Sequence, residues 1–327
     1  MKQIFNRKNV LITGGAGFIG SSLARRLVDY EANVTVVDSM IPEFGGNLFN
    51  IHNIRNKINF NITDVRDKNA MHYLVKGQDY LFNLAGQTSH MDSMHDPFTD
   101  LDINAKSQLS ILEACRSYNP GIRIVFASTR QIYGRPQYLP VDEKHPIVPV
   151  DVNGINKISG ESYHLLYHQV YGMSTSALRL TNTYGPGMRV KDARQTFVGV
   201  WVRRLIEGMP FEVWGGDQLR DFNYVDDVVD AFLMSASQDV ALGKVYNLGS
   251  KEVITLKGLA EKMVELSGGE FVIKSFPEDR KKIDIGDYYS NYNLISNQLG
   301  WEPKVLLREG LATTLNYYRD NIGRYIE

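Results

Sequence analysis

The stretch Thr13-Gly14-Gly15-Ala16-Gly17-Phe18-Ile19-Gly20 decides the fold. It joins the apolar run Asn9-Val10-Leu11-Ile12-Thr13 to a segment of helical periodicity over 18–30. Gly14, Gly17 and Gly20 have G-x-x-G-x-x-G spacing. A turn of this kind needs residues without Cβ, so that backbone N–H groups can approach a pyrophosphate. The N-terminus of the next helix, where Phe18 and Ile19 lie, adds a favourable dipole. An ordinary tight strand-to-helix turn can look the same, so the context carries the reading. A strand precedes the turn, a helix follows it, and a second β-branched run, Val34-Thr35-Val36-Val37, ends on Asp38-Ser39. An acidic residue about 20 residues beyond the turn accepts hydrogen bonds from a ribose. Its carboxylate also repels a 2′-phosphate, so NAD is expected rather than NADP.

Outward from the turn, short apolar runs alternate with amphipathic stretches. Strands are expected at 58–62, 80–84, 122–128 and 174–180, with helices over 67–76, 99–117 and 153–172. Continuous β-branched runs between helices predict a parallel sheet covered on both faces. The fold class is therefore α/β, a Rossmann-like doubly wound parallel sheet with a smaller C-terminal substrate-binding α/β lobe. Turn signals crowd in after 180, as in Tyr184-Gly185-Pro186-Gly187 and Trp214-Gly215-Gly216-Asp217. The expected division is an NAD-binding domain over 1–180 and an interleaved lobe over 181–327. A helix at 225–236 begins a segment, about 225–250, that returns to the first domain.

Composition narrows the function classes. The chain has 327 residues, 43% hydrophobic and 22% charged, with a net charge of −1. No global basic field favours nucleic acid, so an anionic substrate must meet local Arg and Lys clusters. Cys115 is the single cysteine, which excludes an internal disulfide and suits a reducing compartment. The N-terminal segment is polar and basic with no long apolar run, and a cytoplasmic protein without membrane association is expected. No metal-ligating cluster is expected.

Two further segments fit a dinucleotide. Asp64-Val65 follows the third strand, where a side chain can meet the adenine. Asn83-Leu84-Ala85-Gly86 ends the fourth with small residues that allow close approach. With these in order, the chain resembles the extended short-chain dehydrogenases, the family of NAD-dependent nucleotide-sugar epimerases, dehydratases and decarboxylases. The resemblance runs through Ser128-Thr129-Arg130-Gln131-Ile132-Tyr133-Gly134, Lys157 with Gly160-Glu161, Arg179 to Pro186, Arg220-Asp221-Phe222-Asn223-Tyr224-Val225-Asp226-Asp227, Asn247-Leu248-Gly249 and Leu299-Gly300-Trp301. It implies that Thr129 hydrogen-bonds the sugar hydroxyl being oxidised and that Lys157 holds the nicotinamide ribose. It also implies that Asn182, Arg220 and Arg280 surround a nucleotide diphosphate, a ligand suited to guanidinium groups. Arg189 and Arg194 are equally consistent with solvated surface charges. A homodimer paired through helices 99–117 and 153–172 is implied too; the stripe Tyr163, Leu166, Tyr167, Val170, Tyr171 suits it, or suits the chain's own core.

Two departures bear on the chemistry. The family's Tyr-x-x-x-Lys places a tyrosine four residues before the lysine, and here that position is Asn153. An amide is not a practical proton acceptor. Lys157 is one replacement, and His90, in Ser89-His90-Met91-Asp92-Ser93, is another. Second, family 4,6-dehydratases carry Asp-Glu directly after the catalytic threonine, where this chain has Arg130 and Gln131, neither of which serves as acid and base near neutrality. The leading expectation is epimerisation of a nucleotide-diphosphate sugar at C4 through a transient keto-sugar. The alternatives are a dehydratase with a non-standard acid–base set, a decarboxylase in which Arg130 receives a uronic carboxylate, and a silent NAD- and nucleotide-sugar-binding protein.

Overall fold

The computed structural model describes residues 1–326, apart from the side chains of Asp279 and Arg280. In chain order the strands are β1 (Asn9–Thr13), β2 (Asn33–Asp38), β3 (Asn59–Ile62), β4 (Tyr80–Asn83), β5 (Arg123–Thr129) and β6 (Ser174–Leu180). They continue with β7 (Asn182–Tyr184), β8 (Phe211–Trp214), β9 (Leu219–Tyr224), β10 (Val245–Asn247), β11 (Val253–Thr255) and β12 (Phe271–Lys274). The main sheet has the order β3-β2-β1-β4-β5-β6-β10, with every pair parallel. Strand order reverses between β1 and β4. A crevice opens at that point beyond the carboxyl ends of the strands, where doubly wound sheets bind their ligands.

Alternation along β1 shows why the sheet is covered on both sides. Val10 and Ile12 pack with Leu23 and Leu27 of the helix Phe18–Asp29 and with Val228 and Phe232 of the helix Val225–Ser237. Leu11 points the other way, into a cluster with Met71, Ile111, Leu112 and Tyr167. Successive side chains of a strand face opposite sides, so one short apolar run serves two cores. β10 pairs with β6, so the chain after 225 rejoins the first sheet. A third core, with Trp201, Phe211, Leu259, Leu311 and Tyr318, lies under the sheet β11-β9-β7 and the parallel pair β12-β8.

The single helix expected over 99–117 is broken. It runs as Pro97–Leu101, a π-helical turn Asp102–Lys106, and Ser107–Tyr118. Asp100 and Asn104, four residues apart, lie on one buried face beside this turn. Asn104 Nδ2 then donates to Asp100 Oδ2 (3.0 Å) and to Gln87 O (2.9 Å). Helical periodicity in the sequence does not reveal a bulge whose reason is a buried polar cluster formed with distant residues.

Candidate active site

The glycine turn is built for close approach. Gly14 has φ +67°, and a Cβ there would lie 3.0 Å from the Ala85 amide nitrogen and the Leu84 carbonyl oxygen. A Cβ on Gly20 would meet the Gly14 carbonyl oxygen at 2.3 Å. Gly17 caps the helix Phe18–Asp29 with no side-chain cap. The first N–H groups of that helix therefore have no side-chain acceptor and face the crevice. Asp38 ends β2, and its Oδ2 accepts from Ala16 N (3.1 Å) and its Oδ1 from Met40 N (3.0 Å). Burial pushes its carboxyl above the usual range, against those backbone N–H groups. Gly14, Gly17, Phe18, Ile19, Asp38, Ser39, Asp64, Val65, Leu84, Ala85 and Gly86 all line one chamber of about 1070 Å³. That volume exceeds the ~300–1,000 Å³ of a site for one drug-sized ligand. The cradle, the bare helix N-terminus and the acidic residue at the β2 end together fit a dinucleotide.

The same chamber is lined by Thr129, Arg130, Gln131, Asn153, Lys157 and His90. Thr129 closes β5, and its Oγ1 accepts from Gln131 N (3.2 Å). Lys157 stands on the helix Val152–Tyr171, with Nζ donating to Ala127 O (3.2 Å) and lying 5.1 Å from the Phe126 ring centroid. Burial lowers its pKa to about 8, opposed by Asp100. A Cβ on Gly86 would sit 2.9 Å from that Nζ and from Asn104 Oδ1, so a larger residue there would displace both side chains.

Asn153 is buried, with both amide hydrogens engaged. Its Nδ2 donates to Gln87 O (2.8 Å) and Asp100 Oδ2 (3.0 Å). Asn156 donates to the other oxygen of Asp100 (2.8 Å), so three amides, counting Asn104, surround this carboxylate. Asp100 and Gln87 carried no sequence signal, because most of their contacts here span 17–66 residues of chain. Asp151 was equally silent. Its Oδ1 caps the helix at Gly154 N (2.7 Å) and its Oδ2 accepts from Gln131 Nε2 (2.9 Å). That Oδ2 also lies 3.0 Å from His90 Nδ1. Burial opposes ionisation of Asp151, yet His90, the Gly154 N–H and Gln131 outweigh it and hold the carboxyl below its usual range.

The arginines separate by environment. Arg220 is buried in the chamber wall, with Nη1 donating to Leu219 O (2.9 Å) and to Gly286 O. Burial, reinforced by the charge of Arg130, brings its pKa down to about 10. Arg130 Nη2 donates to Asn182 Oδ1 (2.9 Å), and its guanidinium lies 5.0 Å from the Tyr288 ring centroid. Its Nη1 is buried without a hydrogen-bond partner among the described residues. Asn182 thus spends its carbonyl on Arg130 and its amide on Asp221 O (3.0 Å). Arg189 is not brought to the chamber wall: Asp192 takes its Nε (2.7 Å) and Pro42 O its Nη1 (2.6 Å). Arg194 does line the chamber, paired to Asp92 at 2.8 Å. Arg280 lies outside the residues whose side chains are described. No group of three or more metal-ligating side chains occurs among the described residues.

Fold and site together define a dinucleotide-binding protein of the doubly wound class, with arginines lining the same chamber. Comparison with known proteins narrows the class. Residues 10–249 match the model of the NAD dependent epimerase/dehydratase family. UDP-glucuronic acid decarboxylase 1 of Xenopus tropicalis is 31% identical, over 97% of this chain and 73% of its own. A dTDP-glucose 4,6-dehydratase of an Actinoplanes species is 30% identical, over 95% of this chain and 98% of its own. The UDP-glucose 4-epimerase of Thermotoga maritima, solved with UDP-glucose, superposes with a TM-score of 0.88 at 30% identity, covering 96% of this chain and 99% of its own. The chain belongs to the NAD-dependent epimerase/dehydratase family; it is an enzyme, and its cofactor is NAD. Three reactions at nearly the same identity mean that overall likeness does not choose among them.

Proposed function

We propose that this enzyme epimerises a nucleotide-diphosphate sugar at C4 through a transient keto-sugar. One observation carries the proposal: a single chamber is lined at once by the glycine cradle, by Thr129 and Lys157, and by Arg220. In this reading the first domain, 1–180 with the returning 225–250 segment, holds the dinucleotide, and the 181–327 lobe holds the nucleotide-sugar. Bound NAD supplies the hydride acceptor and donor. Gly14, Gly17 and the N–H groups of Phe18 and Ile19 hold the pyrophosphate, Asp38 and Ser39 the adenosine ribose, and Asp64-Val65 the adenine. Leu84, Ala85 and Gly86 admit the far half of the dinucleotide, whose ribose Lys157 binds. Thr129 fixes the sugar hydroxyl by a hydrogen bond. Arg220 and Arg280 take the diphosphate, and Asn182 acts by holding Arg130 in place.

Arg130 and Gln131 stand where water elimination needs an acid–base pair, which favours epimerisation over dehydration. A second reading has its own observation. The partnerless Nη1 of Arg130 is a buried cationic donor suited to a carboxylate on the sugar, and oxidation of a uronate at C4 leaves a β-keto acid that readily loses carbon dioxide. Incubating the purified protein and NAD with UDP-, dTDP-, CDP- and GDP-sugars, uronates included, and following anomeric protons by NMR tests both. A new hexose or uronate anomeric signal is expected. A pentose product with carbon dioxide would replace epimerisation by decarboxylation, and a 4-keto-6-deoxy product by dehydration. The same reading expects a homodimer.

A further inference from the structure

The residue that would carry the family's tyrosine is an amide with both hydrogens committed. Its surroundings show what stands beside it. Asn153 N donates to Ser93 Oγ (3.2 Å), and Ser93 Oγ donates to His90 O (2.7 Å). The start of the helix Val152–Tyr171 is therefore tied through the Ser93 hydroxyl to the backbone of His90. Two residues earlier in that helix start, Asp151 Oδ2 lies 3.0 Å from His90 Nδ1. The contact is close but poorly aligned, and Nδ1 has no other partner among the described residues. Such contacts in ligand-free sites often tighten when substrate binds. The Asp151 side chain is fully buried, while that of His90 is 39% exposed and lines the chamber. Gln131 completes the link: its backbone N–H bonds Thr129 Oγ1 and its side chain bonds the same Asp151 oxygen (3.2 and 2.9 Å).

We infer that His90 is the proton acceptor that replaces the tyrosine, with Asp151 and Gln131 as positioning residues that set its tautomer and direction. This rests on the epimerase reading above. A carboxylate at Nδ1 fixes the proton there and leaves Nε2 as the basic nitrogen of a ring that lines the chamber. In the forward half-reaction the hydroxyl O–H bond breaks and its proton passes to Nε2. The oxygen electron pair becomes the second bond of the carbonyl, and the hydrogen on the carbon leaves as hydride to the nicotinamide ring. In the return half-reaction hydride comes back to the opposite face and the imidazolium returns its proton to the oxygen. Protons and electrons both balance. Lys157 is less suited to accept: below about pH 8 it is an ammonium that already donates to Ala127 O. It retains the ribose-holding role.

The test compares the wild type, His90→Ala and Asp151→Asn as NAD-loaded enzymes, on whichever nucleotide-sugar the wild type converts. His90→Ala is expected to lose about 100-fold or more in kcat. KM and NAD content should be unchanged, and free imidazole should restore at least part of the loss. Asp151→Asn keeps the Oδ1 acceptor for Gly154; it is expected to lower kcat with KM unchanged and to gain nothing from imidazole. That variant carries the test if His90→Ala does not fold. Turnover of His90→Ala within about threefold of wild type would overturn the dyad and leave the epimerase reading standing. So would a loss explained by weaker NAD or sugar binding and indifferent to imidazole. A wild type that converts no nucleotide-sugar would overturn both.

Discussion

At the scale of single residues, Lys157 shows function opposing stability. Its ammonium is buried, and its pKa falls to about 8. The folded-state pKa lies below the unfolded value, so between about pH 8 and 10.5 the unfolded chain binds more protons and stability rises with pH. The full penalty applies below about pH 8 and is gone above about 10.5. Lys157→Met is therefore expected to gain on the order of 1–3 kcal/mol at pH 7 while losing activity. The gain should shrink toward pH 10, and thermal melts at the two pH values measure it. No difference between them would mean that the ammonium is adequately solvated. The glycine turn makes a second prediction. A Cβ on Gly20 meets backbone at 2.3 Å, whereas one on Gly17 meets its nearest atom at 3.1 Å. Gly20→Ala should cost about 1–3 kcal/mol and abolish NAD binding, and Gly17→Ala should be milder in stability. Equal melting temperatures for the two would contradict the geometry.

Among the elements, the helix Val152–Tyr171 does most to organise the site. It carries Asn153, Lys157 and Glu161 on its buried face. The stripe noted in its sequence divides between two surroundings: Tyr167 is 5% exposed, whereas Leu166, Val170 and Tyr171 are 48%, 58% and 53% exposed. Tyr167 belongs to the chain's own core, and the exposed trio supports the proposed dimer face. Leu166→Glu with Val170→Glu is expected to convert a dimer to a monomer in light scattering. An unchanged mass would place the dimer contact elsewhere or remove it. The strands and this helix were legible because their signals are local: β-branched runs for the strands and helical spacing over 153–172 for the helix. The break at Asp102–Lys106 was not legible. It depends on Asn104 reaching Gln87 and Asp100, a contact formed only once the chain is folded.

In the whole molecule, several motif stretches prove to be one buried network. Arg179 pairs with Glu161 through Nε (3.0 Å) and Nη2 (2.5 Å), and Ser128 donates to the same carboxylate (2.6 Å). Arg179 Nη1 reaches the Tyr133 hydroxyl (2.6 Å), which donates to Asn247 Oδ1 (2.7 Å). The path ties β5, the helix, β6 and β10 together beneath the chamber. Asp221, within the Arg-Asp-Phe motif, does the same for the other lobe by accepting from Thr181 Oγ1 and from Ser290 N (3.0 Å). The motifs were visible in the sequence, but their division into chamber-lining residues (Thr129, Lys157, Arg220) and fold-holding ones (Glu161, Arg179, Asp221) was not, since both kinds occupy the same short stretches. Glu161→Gln leaves the Arg179 charge uncompensated, and a loss of about 3–5 kcal/mol in denaturant unfolding is expected. A loss below about 1 kcal/mol would show that the network carries little of the fold's stability.

The most direct test of the central claim uses a nucleotide-sugar that the enzyme converts, labelled with deuterium at C4. The purified protein is incubated with it in ordinary water, and the product is read by NMR. Return of the same hydride to the opposite face predicts a C4 epimer that keeps its deuterium at C4. A product with hydrogen from water at C4, or one changed at C5 or C6 with C4 left as a ketone, would contradict epimerisation.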